Sequence, residues 1–143
     1  PRRVVRALEV SMTSEKPFTQ ARGKGKKIYD TLQIGVKVDR EELYQRINKR
    51  VEKMIEQGLV EEVKGLLEKG YSWDLSSMHG IGYREFKPYF ENNAELEEVV
   101  KNIKQSTRNY AKRQLSWLRR DDRINWCRDI SEAKKLISKF LNK

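Results

Sequence analysis

A single cysteine in 143 residues leaves no internal disulfide and no cysteine-based zinc site. Cys127 therefore reads as a packing residue in a reducing compartment, and the cytoplasm is the expected location. Histidine is equally scarce: His79 stands alone, so there is no HExxH pair and no Ser-His-Asp set. No apolar run approaches the roughly 18 residues of a membrane span, and Pro1-Arg2-Arg3 has no signal-peptide core behind it, so no membrane association is expected. A GxxxxGK[ST] phosphate loop, internal repeats and low-complexity tracts are missing too. Initiator Met is also missing and a helical pattern starts at once, as in a chain that begins in the middle of something longer.

Charge is abundant. Lys and Arg number 31 against 21 Asp and Glu, a net charge of +10. The excess is segregated: residues 1–27 carry eight basic and two acidic side chains, residues 101–120 seven basic and none acidic, and residues 28–100 ten basic and fifteen acidic. A surface made basic only for solubility has no need of such blocks, which favours a polyanionic partner.

Periodicity predicts one α/β unit over residues 1–143. A short helical pattern at 2–10 precedes a basic loop at 11–27. Alternation of Leu32, Ile34, Val36 and Val38 predicts a strand over 31–38. Helices follow over 40–69, broken at Gly58, the first opened by a capping box of Asp39 and Glu42. A loop at 70–80 leads to a short helix at 83–90 disturbed by Pro88, then to one long basic helix over 94–120, capped by Asn92 or Asn93 and about 40 Å long. A strand over 124–127 and a helix from Ser131, burying Ala133, Leu136, Ile137, Phe140 and Leu141, close the chain. Two strands so far apart in sequence need pairing partners, which are expected outside the chain.

Three constellations carry possible chemistry. On the helix from residue 40, Arg50 falls about 20° outside the apolar stripe and Arg46 about 40° further round. Two guanidinium groups one turn apart could grip a phosphate, or Arg50 could simply lie over apolar surface and pair with a carboxylate. The loop His79-Gly80-Ile81-Gly82-Tyr83-Arg84 offers two glycines and helix-start N–H groups to an anion. On the long helix, Lys101, Lys104, Arg108, Lys112 and Arg119 form a ridge of about 27 Å with no acid to pair with, suited to a nucleic-acid backbone. Tyr110 and Trp117 read first as core residues, although their flat rings also offer surfaces for stacked bases. Thr107 and Gln114 sit on their face, and Gln114 either bonds to a neighbouring backbone group or faces a wet cavity where its amide could recognise a base or a phosphate.

The segments RRVVRALEV (2–10), REELYQRINKRVEKMIEQGLVEEVKGLL (40–67), GIGYREF (80–86) and TRNYAKRQLSWLRR (107–120), with KPF at 16–18 and INW at 124–126, closely resemble in order and spacing the C-terminal half of bacterial tRNA dimethylallyltransferases. The resemblance implies the mostly helical C-terminal part of a P-loop NTPase-like fold, whose strands complete a parallel sheet built by an N-terminal half. It implies transfer of a dimethylallyl group from dimethylallyl diphosphate to the exocyclic amine of the adenosine beside the anticodon, with Mg²⁺, by an enzyme monomeric when complete. The family's phosphate loop and catalytic Asp and Thr lie upstream, so the chain alone is expected to be inactive. Carried onto this sequence, the resemblance gives Arg46 or Arg50 a diphosphate contact. To tRNA it assigns His79, Gly80, Ile81, Gly82, Tyr83 and Arg84, together with Arg108, Lys112, Arg113, Gln114, Leu115, Ser116, Trp117, Leu118 and Arg119. Two alternatives stay open: an adenylate isopentenyltransferase acting on free nucleotides, and a stand-alone basic RNA-binding module.

Overall fold

The computed structural model describes residues 2–14, 17–18 and 28–142. It divides into two units, residues 1–31 and 32–143. The first contains α1 (Arg2–Ser14), which runs four residues beyond the expected helix. The hydroxyls of Thr13 and Ser14 donate to the carbonyls of Glu9 and Val10, both at 2.6 Å, so residues that favour loops stay helical here. The rest of the expected basic loop, at 15–16 and 19–27, lies outside the described residues.

The second unit runs β1 (Gln33–Val36), α2 (Arg40–Glu56), α3 (Leu59–Glu68), 3₁₀ turns at Ser76–His79 and Arg84–Phe86, α4 (Lys87–Asn92), α5 (Leu96–Leu118), β2 (Ile124–Cys127) and α6 (Ile130–Leu141). The expectation that both strands lack partners within the chain is corrected: β1 and β2 pair with each other, parallel, in register from Gln33 opposite Ile124 to Val36 opposite Cys127. Parallel pairing needs a long crossover, and the helices from α2 to α5 supply it.

That crossover holds the core. Val51, Leu59, Val63, Met78, Phe86, Val99 and Ile103 form one buried cluster. Phe86 is fully buried at its centre, with Tyr89 edge-on at 6.2 Å and Phe90 at 6.1 Å between ring centroids. At Gly58, φ of +94° lets α3 follow α2 with only two residues between them, a conformation that strains any residue bearing a Cβ.

Helix ends depart from expectation in physically clear ways. Asp39 caps α2 in extended conformation but its side chain makes no capping bond, and Glu42, the other half of the expected capping box, pairs with Arg46 one turn on. A reciprocal cap forms instead at α6, where Asp129 accepts from the N–H of Glu132 at 2.8 Å and Glu132 accepts from that of Arg128 at 2.7 Å. Pro88 starts α4 rather than disturbing it, since a first-turn residue needs no N–H partner. Asn93, in left-handed conformation at φ 56°, ends α4, and Glu95 caps α5. On α6, Ile137 and Leu141 are exposed, against the expectation of burial.

Candidate nucleic-acid interface

The loop before α4 is held by its own side chains. At Gly82 φ is +101°, and its N–H donates to Oε2 of Glu85 at 2.9 Å. The N–H groups of Tyr83 and Arg84 donate to the Gly80 carbonyl at 3.1 and 3.2 Å. The donors expected to be free for an anion are therefore already used, which corrects the reading of this loop as a backbone phosphate cradle. The loop instead presents a side chain: Arg84 Nε donates to Glu85 Oε1 at 2.8 Å and its Nη2 to Ser106 on α5 at 3.3 Å.

Glu85 is the hinge of this arrangement and was missed in the sequence. Burial pushes its carboxyl up, but the bonds from Gly82, Arg84 and Ser106, with the charge of Arg84, outweigh that and hold it below the usual carboxylate range. A carboxylate three residues after a loop glycine has the spacing of a cap, and that was the available signal. On the loop's other side Tyr83 donates to Glu62 of α3. That bond, then burial and the charge of Glu62, raise the phenol above its ordinary value, so it stays a donor. His79 and Gly80 are exposed, Ile81 half-buried and Gly82 buried.

Arg84 lines a depression of about 510 Å³ together with Arg50 of α2 and Arg113 of α5. Its apolar floor includes Val51, Met54, Ile81 and Ile103, and Tyr110 stands at its side. Among the described residues neither Arg50 nor Arg113 has an ion-pair partner. Three guanidinium groups from three elements thus meet around one concave surface. Arg46 is not among them, and its guanidinium pairs with Glu42. The picture of Arg46 and Arg50 gripping one phosphate together does not match this geometry.

Helix α5 presents different chemistry along its length and around its girth. Val99 and Ile103 are buried, yet the same azimuth two turns later carries Tyr110 at 53% exposure, Gln114 and Trp117 at 69%. These residues were expected in or beside the core and are instead open side chains that include two flat aromatic surfaces. The ridge is likewise not free of acids. Lys104 pairs with Glu52 of α2 at 2.6 Å, and Arg108 donates to Asn48 and Gln105 and lies 5.7 Å over the ring of Tyr44. Lys112, Leu115, Ser116 and Arg119 line a second concavity that Arg113 does not reach, while Leu118 is half-buried.

The family model for IPP transferase matches residues 1–121. The chain belongs to the IPP transferase family. Among its relatives, tRNA dimethylallyltransferase 2 of Geotalea uraniireducens is 49% identical over 127 residues, covering 87% of this chain and 41% of that protein. The tRNA dimethylallyltransferase of Natranaerobius thermophilus is 47% identical over 138 residues, covering 94% of this chain and 40% of that one. The crystal structure of a tRNA delta(2)-isopentenylpyrophosphate transferase from Staphylococcus epidermidis superimposes with a TM-score of 0.72 at 36% identity, over 99% of this chain and 48% of the other. A full-length tRNA isopentenylpyrophosphate transferase from Bacillus halodurans gives 0.70 at 36%, over 99% and 43%. This IPP transferase chain thus spans about two fifths of the curated relatives it matches, and its α/β fold is that of the solved tRNA isopentenyltransferases. No helix among its described residues is long and apolar enough to cross a membrane.

Proposed function

We propose that this chain is the tRNA-gripping part of a tRNA dimethylallyltransferase, which moves a dimethylallyl group from its diphosphate to the exocyclic amine of the adenosine beside the anticodon. The observation that carries this reading is the meeting of Arg50, Arg84 and Arg113 around one depression beside the exposed Tyr110. Transfer requires acceptor and leaving group in one place. As the amine nitrogen bonds to the allylic carbon, the carbon–oxygen bond to the diphosphate breaks, negative charge grows on the departing oxygens, and the nitrogen gives up one proton to the upstream Asp that the family resemblance implies. A preorganised arginine lowers that barrier, because its charge needs no reorganisation when the bond breaks. Arg50 takes this role, and Arg84 and Arg113 hold phosphates of the tRNA so that its base can leave the stack.

The exposed faces of Tyr110 and Trp117 suit a polynucleotide better than a free nucleotide, which favours tRNA over adenylate as acceptor. The family resemblance implies Mg²⁺ in the reaction. Among the described residues no three His, Cys, Asp or Glu side chains gather to hold a metal, so these residues do not fit such a site and no step is assigned through one.

The test is a full-length transferase carrying this chain, incubated with tRNA, dimethylallyl diphosphate and Mg²⁺, its RNA then digested and analysed by mass spectrometry. Prenylated adenosine beside the anticodon supports the proposal. Prenylated free adenylate with unmodified tRNA would overturn it.

A further inference from the structure

Helices α2 and α5 meet through two seams of different character. Val51 of α2 belongs to the same buried cluster as Val99 and Ile103 of α5. Aliphatic contacts are non-directional, so this burial by itself tolerates more than one axial register. Beside it runs a polar seam. Tyr44, Asn48 and Glu52 recur every fourth residue on α2 and share one face, as do Lys104 and Arg108 on α5. Lys104 Nζ donates to Glu52 Oε1 at 2.6 Å, and Arg108 Nη1 donates to Asn48 Oδ1 at 3.1 Å. The Arg108 guanidinium carbon lies 5.7 Å from the centroid of the Tyr44 ring, and its Nη2 donates to Gln105 at 3.0 Å.

We propose that this polar seam sets the axial register of α2 against α5, and that Lys104 and Arg108 are positioning residues for Arg50 and Arg113 rather than phosphate contacts. The pairs run antiparallel: Glu52 meets Lys104, and the earlier Asn48 meets the later Arg108. By that spacing a slip of one turn in one direction brings Lys104 opposite Asn48 and takes it from Glu52. A slip in the other direction takes Arg108 off both Asn48 and Tyr44. Directional bonds penalise either slip where the aliphatic seam does not, which is how polar groups between helices fix register in coiled coils. The consequence falls on the depression described above. Arg50 stands between Asn48 and Glu52, two residues from each, and Arg113 follows Arg108 by five residues, about 7.5 Å along the axis. Both arginines line that depression, and a slip of one turn, about 5 Å, would carry one past the other. Arg108 has little left to offer a phosphate, because both Nη atoms already donate and its guanidinium sits over the Tyr44 ring.

The inference rests on the transferase reading for what the register serves. The experiment uses the full-length transferase with Glu52→Lys, with Lys104→Glu and with both together, the last keeping the original net charge. Turnover is measured at saturating tRNA and dimethylallyl diphosphate. The α2–α5 register is read separately, as the distance between spin labels at Lys49→Cys and Asn109→Cys, both exposed positions. Each single reversal should lower turnover about tenfold and shift or broaden the label distance, and the double reversal should recover both. An unchanged distance in the single reversals overturns the proposal, as does a changed distance with normal turnover. Arg108→Gln separates the two roles open to that arginine. As a positioning residue its loss lowers turnover and leaves the slope of log tRNA affinity against log salt unchanged, whereas a slope lowered by about 1 would make it a phosphate contact and overturn its place in the seam. Asn48→Ala, which alters no charge, should lower turnover too and add nothing to Arg108→Gln, and strictly additive losses would break the pairing of the two. Because the label distance is read without chemistry, an enzyme that prenylates no tRNA yet loses and recovers that distance would sink the transferase reading and keep the seam as the register.

Discussion

Glu85 keeps a charged carboxylate at 7% side-chain exposure because three donors converge on it: Gly82, Arg84 and Ser106. Removing it leaves the Gly82 N–H unsatisfied and frees Arg84, so Glu85→Ala should cost about 2 kcal/mol in chemical denaturation at neutral pH. Its folded carboxyl lies below the unfolded value of about 4.3, so its contribution is complete above that value and fades as pH falls through the folded one. Glu85→Gln should therefore flatten that part of the acid limb, and an unchanged acid limb would show that the carboxylate is not held as described. Arg50 and Arg46 differ in the same local terms. Arg50→Gln in the full-length enzyme should lower turnover by about 2–4 kcal/mol with a smaller effect on tRNA affinity. Arg46→Gln, which removes only an exposed pair with Glu42, should change either quantity by no more than about 0.5 kcal/mol. Steady-state kinetics with both substrates varied decide it, and a larger loss at Arg46 would reverse the assignment. Azimuth on α2 placed Arg50 nearer the apolar stripe than Arg46 in the sequence, without deciding which of them meets the diphosphate. It could not show that Arg84 and Arg113 join Arg50, because that meeting depends on how three elements pack.

Strand β1 shows where element-scale reading succeeds and stops. Alternation of Leu32, Ile34, Val36 and Val38 located it, but pairing reaches only Gln33–Val36 and no local pattern names Ile124–Cys127 as the partner. Gly35 marks that pairing: a Cβ there would lie 2.8 Å from both Ile124 Cγ2 and Trp126 Cε3. Gly35→Ala should thus destabilise the fold by about 1–3 kcal/mol, and adding Trp126→Ala should recover part of the loss. Strictly additive melting shifts would remove Trp126 from the explanation. Helix α5 fails in a complementary way. Its apolar period continues through Tyr110 and Trp117, yet the covering core ends after Ile103, so the same stripe turns from packing surface into open surface. Periodicity reports the azimuth of a side chain but not how far along the axis a neighbour extends.

Charge at the scale of the whole chain was legible as segregation, but not as sites. The block at 101–120 resolves into Lys104 and Arg108 tied to α2, Arg113 in one concavity and Lys112 and Arg119 in another. Lys37 and Arg40, from the mildly acidic segment, join the second group only through folding. Both basic concavities are formed within residues 32–143, whereas no GxxxxGK[ST] loop occurs anywhere in the 143 residues. The chain by itself should bind tRNA in a salt-dependent way, with a log–log slope of about −0.9 for each phosphate neutralised on duplex-like backbone, and form no prenylated adenosine. Fluorescence titration of labelled tRNA from low to moderate salt measures the first, and mass spectrometry of digested RNA after incubation with dimethylallyl diphosphate and Mg²⁺ measures the second. Binding without dependence on salt would contradict the reading of these cations as phosphate contacts. Prenylated adenosine would mean that carboxylates of this chain, such as Asp39 in the second concavity or Glu85 bonded to Arg84, also supply the acid–base chemistry.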